Sequence, residues 1–126
     1  MDADDCAWRL PLPNESDLAQ AIIDLLSERQ AEDIVLLDIS QVSSFADIFI
    51  IATGGNARQL NALIQTLDED LDTAYPRPRR VEGTPDSGWV LLDFGDVIVH
   101  LFAPNERAFY DLEALWSRSV PVVRFQ

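Results

Sequence analysis

The sequence contains no lysine: all nine of its basic residues are arginine, set against 22 aspartates and glutamates. The formal net charge at pH 7 is −13 over 126 residues. Phosphate backbones and anionic membrane surfaces repel such a chain, so neither autonomous nucleic-acid binding nor membrane association is expected. A single cysteine, Cys6, excludes an internal disulfide and a cysteine-rich metal site. A single histidine, His100, means that any Ser/His/Asp or Cys/His scheme has to pass through it, and Cys6 lies in a terminal tail, a poor place for a held nucleophile. No apolar run approaches the roughly 18–20 residues that a membrane helix needs. No basic stretch leads into a hydrophobic one at the N-terminus, so no secretory signal is visible and a cytoplasmic location is expected. Neither of the phosphate-binding glycine patterns, G-x-G-x-x-G and G-x-x-x-x-G-K-[ST], occurs, and there is no G-x-S-x-G elbow. No cofactor and no metal are expected.

What is present is an ordinary globular composition, 48% apolar and 25% charged, in a length that suits one domain. Residues 1–13 carry three aspartates and no periodicity and read as a flexible acidic tail. Residues 14–119 form the domain and 120–126 a C-terminal tail. Within the domain, Leu18, Ala21, Ile22, Leu25 and Leu26 make a helical stripe, with Asn14 or Ser16 as its cap. Two runs rich in branched residues, 33–39 and 47–53, are apolar on both faces and predict inner strands. Gly54-Gly55-Asn56 ends the second run. Asn56 and Gln59 have the spacing of a capping box for a helix whose stripe is Leu60, Leu63, Ile64, Leu67 and Leu71. Pro76 and Pro78 stop that helix ahead of Arg77, Arg79 and Arg80. An edge strand at 79–82, strands at 89–94 and 96–102, and one last helix from Pro104 with Ala108, Phe109, Leu112, Leu115 and Trp116 buried complete the order. The fold class is α/β, with a mixed five-stranded sheet.

The hairpin around Phe94-Gly95 is the most informative segment. A two-residue turn there pairs Asp93 with Asp96, Leu91 with Ile98 and Trp89 with His100. One face then holds Val90, Leu92, Val97, Val99 and Leu101, all aliphatic. The other holds Trp89, Leu91, Asp93, Asp96, Ile98, His100 and Phe102. Such a mixed face is either a second, partly covered core or a recognition surface of aromatic anchors ringed by charge. On the last helix, Glu106, Tyr110 and Glu113 fall on one polar face that extends it. Asp93 and Asp96 also invite a Mg²⁺ or acid–base reading, but aspartates beside a tight turn serve equally as turn-formers, and the sequence places no third carboxylate near them. Gly54-Gly55 is explained by the turn alone, and the arginine cluster by a salt-bridged loop.

Three blocks carry a resemblance. The first is Asp38-x-Ser40, Asp47-Ile-Phe49-Ile-Ile-Ala-Thr53-Gly54 and Arg58-Gln59. The second is Glu82-Gly83 and the string W-x-x-x-D-x-G-D-x-x-x-H from Trp89 to His100, followed by Leu101-Phe102. The third is R-x-x-Y-x-L-E-x-L-W from Arg107 to Trp116. Together they resemble the ribosomal silencing factor family, also called Iojap-like, from about Asp17 to Trp116. The resemblance implies a fold similar to nucleotidyltransferases without their catalytic residues. It also implies a non-enzymatic repressor that binds a basic large-subunit ribosomal protein of the uL14 type. Such a repressor blocks joining of the small subunit and damps translation when nutrients are short. The residues expected to meet that partner are Trp89, Asp93, Asp96, His100, Phe102, Glu106, Arg107, Tyr110 and Glu113. Two other functions are set against it: a divergent Mg-dependent nucleotidyl- or phosphotransferase using Asp93 and Asp96, and a homodimer that buries its open face against a second copy.

Overall fold

The structure is a computed structural model that describes residues 13–71, 77–116 and 120–125. Residues 1–12, most of the expected acidic tail, lie outside the described residues, as does Pro76. The elements in chain order are α1 (Pro13–Glu28), β1 (Glu32–Asp38), β2 (Ile48–Thr53), α2 (Ala57–Glu69), β3 (Arg80–Glu82), a short 3₁₀ turn (Pro85–Ser87), β4 (Trp89–Asp93), β5 (Val97–Phe102), α3 (Pro104–Tyr110), α4 (Leu112–Trp116) and β6 (Val122–Arg124).

The sheet has six strands, in the order β3-β4-β5-β2-β1-β6. The sixth strand corrects the expected five. Val122, Val123 and Arg124, read from sequence as a tail, pair antiparallel with Leu37, Leu36 and Val35 and so cover the edge of β1. Such a three-residue strand has no periodicity of its own to detect. It exists because β1 presents a free row of backbone donors and acceptors to it. Only β2 and β5 run parallel, all other neighbours being antiparallel. β2 sits between β5 and β1 and all six of its residues are buried, which explains why it is apolar on both faces.

Two cores lie on opposite sides of the sheet. On one, α1 and α2 set Leu18, Ile22, Leu26, Leu60, Leu63 and Leu67 against Ile48, Ile50, Val90, Leu92, Val97, Val99 and Leu101. On the other, Phe49, Ile51, Ile98 and Phe102 are covered by Leu112 and Trp116. At its start α2 is capped by Asn56, whose side chain accepts from the Gln59 backbone N–H at 2.8 Å. The return arm of the expected capping box goes elsewhere. Gln59 Oε1 accepts from Gly55 N–H at 2.7 Å, while its amide donates to the Gln30 carbonyl at 3.0 Å, tying α2 to the end of α1. α1 begins at Pro13, so Asn14 and Ser16 both lie inside it rather than before it.

The β4–β5 hairpin differs from the expected register by two residues. Asp93 lies opposite Ile98, Leu91 opposite His100 and Trp89 opposite Phe102. The Phe94 N–H donates to the Val97 carbonyl at 2.9 Å, so the turn's central residues are Gly95 and Asp96. Gly95 has φ +97°, a conformation that glycine enters without a Cβ penalty, which favours the turn one position later than Phe94-Gly95. Because side chains alternate with a period of two, a two-residue shift leaves every residue on its expected face. Val90, Leu92, Val97, Val99 and Leu101 do line the helix-covered α1/α2 side, and Trp89, Leu91, Ile98 and Phe102 the other.

Candidate functional site

The mixed face is an aromatic cluster, and the last helical segment decides how it is covered. The single helix expected from Pro104 onward is two short helices. Asp111 sits between them in the left-handed region, φ 47° and ψ 50°, and its N–H donates to the Arg107 carbonyl. Aspartate tolerates that conformation better than most residues, so it ends α3 and redirects the chain into α4. The break changes which side chains are buried. Leu112 and Trp116, four residues apart on α4, pack on the sheet. Ala108, Phe109 and Leu115, expected to be buried with them, are exposed, Phe109 and Leu115 by 79% and 74%, and Tyr110 is 49% exposed. The sequence held one sign of this. Ala108, Phe109, Tyr110, Leu112, Leu115 and Trp116 are too many apolar side chains for one face of so short a helix.

Beneath Phe109 and Tyr110 the aromatic rings form a connected set. Tyr110 touches Phe109 edge-on with centroids 5.0 Å apart, and Trp89 at 4.6 Å. Trp89 stacks on Phe102 at 5.0 Å and donates its indole N–H to His100 Nδ1 at 3.2 Å. His100 in turn meets Phe49 in a T-shaped contact at 4.7 Å. Phe102 and His100 are buried, 1% and 4% exposed, so both lie under the surface rather than on it, whereas Trp89 is half-buried between the two levels. Burial pushes the His100 imidazole down to about 4, so the ring is neutral at physiological pH.

The charged residues of the expected site do not form one set. Asp93 stands at the turn. Its Oδ1 accepts from the Gly95 N–H at 2.8 Å, and its Oδ2 faces Arg80 at 3.7 Å and Arg79 at 4.0 Å. Its carboxylate is thus committed to the turn and to β3. Asp96 is exposed at the turn tip, away from the aromatic rings, and its backbone carbonyl accepts from Asp47 and Ile48. Glu106, Tyr110 and Glu113 do not share one helix face, because the break at Asp111 separates the third from the first two. Glu106 lies against Gly88, whose missing side chain leaves the room for it: a Cβ there would stand 2.4 Å from the Glu106 carboxyl carbon. Arg107 points the other way. Its Nε donates to Glu113 Oε1 at 2.8 Å and its Nη1 to Thr53 Oγ1 at 2.8 Å, clamping α3 to α4 and to the end of β2. Arg124 of β6 reaches the other Glu113 oxygen at 3.4 Å. Burial raises the Glu113 carboxyl, but the hydrogen bond and charge of Arg107, with those of Arg124, outweigh it and hold the group below the usual glutamate range.

These contacts bear on chemistry. The C-terminal ends of parallel strands are where α/β sheets commonly bind ligands. Here that end carries a cleft of about 360 Å³ lined by Glu32, Asp33, Thr53, Arg107, Glu113 and Arg124 among others. Its carboxylates and its two ion-paired arginines offer little to a phosphate. Among the described residues no group of three or more His, Cys, Asp and Glu is placed to hold a metal ion. Thr53 and Arg124, the further members of the Arg107–Glu113 network, had no sequence signal, since only folding brings residues 53, 107, 113 and 124 together. No described helix is long and apolar enough to cross a membrane.

Comparison with known proteins agrees with this architecture. The family model described as ribosomal silencing factor during starvation matches residues 13–126. The ribosomal silencing factor of Zymomonas mobilis is 40% identical over 99 residues, 79% of this chain and 74% of that one. That of Halalkalibacterium halodurans is 34% identical over 113 residues, 90% and 96% of the two chains. A crystal structure of a Chromobacterium violaceum protein superposes with a TM-score of 0.75 at 37% identity, covering 80% of this chain and 84% of that one. The chain belongs to the ribosomal silencing factor family. Membership supports a ribosome-associated role in silencing translation, and the names its relatives carry are those of regulators rather than catalysts.

Proposed function

We propose that the protein represses translation by seating its aromatic face on a basic large-subunit ribosomal protein of the uL14 type, so that the small subunit cannot join, and that it does so in the cytoplasm when nutrients are limiting. The observation that carries this reading is the exposure of Phe109, Tyr110 and Leu115 on adjoining short helices. Exposed large apolar side chains, here with Phe109 and Tyr110 in contact above a packed aromatic base, are the make-up of a binding hot spot.

Charge supports the class of partner. Of the arginines in the described residues, Arg29, Arg77, Arg79, Arg80, Arg107 and Arg124 each face a carboxylate within ion-pair distance. Pairing spends most of the positive charge internally and leaves a surface dominated by surplus carboxylates. That surface suits a lysine- and arginine-rich protein and not the RNA around it. In this reading Trp89, Glu106 and Tyr110 meet the partner together with Phe109 and Leu115. His100 and Phe102 support them from below, Asp96 contributes to steering, and Asp93, Arg107 and Glu113 hold the frame. No catalytic role is assigned to Asp93, whose Oδ1 is hydrogen-bonded within the turn and whose Oδ2 faces Arg79 and Arg80 at ion-pair distance.

The test is co-sedimentation with purified large subunits, with and without the basic partner protein, beside a subunit-joining assay followed by light scattering. Binding that needs the partner protein and slows joining is the expected result. Calorimetry with Mg²⁺ and nucleotide runs in parallel, and saturable micromolar binding with turnover would overturn the non-enzymatic reading in favour of the transferase.

A further inference from the structure

His100 poses a question that packing does not answer. It is 4% exposed in the middle of an aromatic and aliphatic layer, flanked by Phe49, Trp89 and Phe102. A phenylalanine would fill such a place without any polar atom to satisfy. The imidazole instead leaves Nε2 buried with no hydrogen-bond partner, a loss that a purely space-filling residue avoids. What the imidazole supplies in exchange is one contact. The Trp89 indole N–H is a donor only, so at 3.2 Å the facing Nδ1 must present its lone pair, which places the ring's proton on Nε2. The tautomer that serves Trp89 is therefore the one that strands the other nitrogen.

The benefit of that contact appears at the surface. Trp89 and His100 are not opposite one another in the hairpin. Trp89 faces Phe102 and His100 faces Leu91, so the indole reaches diagonally across the two strands. Held at its N–H by His100 and on its face by Phe102, the indole forms the floor on which Tyr110 rests at 4.6 Å, and Tyr110 abuts Phe109 at 5.0 Å. The exposed end of the string is the surface assigned above to the partner.

We propose that His100 is a positioning residue for docking: its neutral imidazole fixes the rotation of the Trp89 indole, and thereby the placement of Tyr110 and Phe109, without touching the partner itself. This inference rests on the docking reading and goes beyond it by separating the residue that orients the surface from the residues that form it. Orientation at a hot spot matters because an anchor that must be ordered on binding costs affinity that a pre-set one does not.

The test uses His100→Phe, which keeps an aromatic ring of similar size, and His100→Gln, which restores a side-chain acceptor. Two quantities are measured on each full-length protein: the ¹H–¹⁵N resonance of the Trp89 indole, assigned with Trp89→Phe, and affinity for purified large subunits by co-sedimentation. H100F is expected to remain folded, to shift the indole resonance upfield as its acceptor is lost, and to bind about tenfold more weakly, with H100Q recovering part of both changes. A merely structural role would lower the melting temperature without moving the indole resonance in step with affinity. Wild-type binding with unchanged affinity in H100F overturns this inference alone. Should H100F not fold, H100Q decides the matter, and an H100Q with a displaced indole resonance and undiminished affinity overturns the inference. Failure of the wild type to bind large subunits at all overturns the docking reading and this inference with it, while the indole resonance still reports whether the hydrogen bond exists.

Discussion

Arg107 and Glu113 are joined at 2.8 Å across a break in the chain's last helical segment, and both side chains are largely withdrawn from water. The pair spans Asp111, so it holds the angle between α3 and α4 that leaves Phe109 and Leu115 outside. A charge removed from such a pair leaves its partner with only part of its compensation. Glu113→Gln is expected to cost about 1–3 kcal/mol of stability, since Arg107 keeps Thr53 but loses its counter-charge. Denaturant unfolding of the wild type and variant measures it, and an unchanged midpoint would show that α3 and α4 are held by apolar packing alone.

The same carboxylate sets an acid dependence. The folded-state value of Glu113 is depressed by Arg107 and Arg124 against the opposing effect of burial. The unfolded chain therefore takes up the proton first as pH falls. The stabilisation is fully present above the ordinary glutamate range and is lost as pH falls through the depressed folded value. Glu113→Gln should flatten this part of the stability profile relative to the wild type.

His100 acts in a higher window. Its folded value is lowered from 6.5 to about 4 by burial alone. Between those limits the unfolded chain binds a proton that the folded protein refuses, so stability rises with pH there. Stability should fall by on the order of 3 kcal/mol as pH drops from 6.5 to 4, and the contribution should level off below that. His100→Phe removes this slope. A wild-type stability that is flat from pH 6.5 to 4.5 would contradict a buried neutral ring.

Phe109→Ala separates docking from folding better than Trp89→Ala does. Trp89 is stacked on Phe102 and hydrogen-bonded to His100, so its removal damages the core layer as well as the surface. Phe109 is 79% exposed, and its removal should change stability by less than about 0.5 kcal/mol. Affinity for the large subunit should drop by about 2 kcal/mol if the side chain is an anchor. Undiminished binding by Phe109→Ala combined with Leu115→Ala would move the docking surface elsewhere on the molecule.

Association should also slow as salt rises, because a chain of net charge −13 is drawn to a basic partner by a field that ions screen. Stopped-flow association rates at low and physiological ionic strength measure this. A rate constant independent of salt would assign the acidity to solubility instead.

Much of the fold was legible because side-chain periodicity is a local property. The apolar stripes of α1 and α2, the doubly apolar β2, and the division of β4 and β5 into an aliphatic and an aromatic face follow from residue spacing alone. The faces survived an error of two residues in the hairpin register, because a shift by a whole period moves partners without turning side chains over. The three motif blocks also carried the family, through residues whose identities are visible without their positions in space.

Tertiary structure decided what depends on surroundings. The strand Val122–Arg124 forms because the edge of β1 is open to it, not because of a signal within three residues. The sequence left Asp93 open between a metal or acid–base carboxylate and a turn-former, and the structure makes it a turn support, with the Gly95 N–H on one oxygen and Arg79 and Arg80 facing the other. Phe109 and Leu115 are apolar and were expected inside. They are outside because one left-handed residue, Asp111, divides a helix, and the network of Arg107, Glu113, Thr53 and Arg124 that accompanies the division is assembled from parts of the chain up to 71 positions apart, from residue 53 to residue 124. Local spacing determines which residues prefer to share a face. Whether that face is covered depends on the packing available to it, and packing is a property of the whole chain.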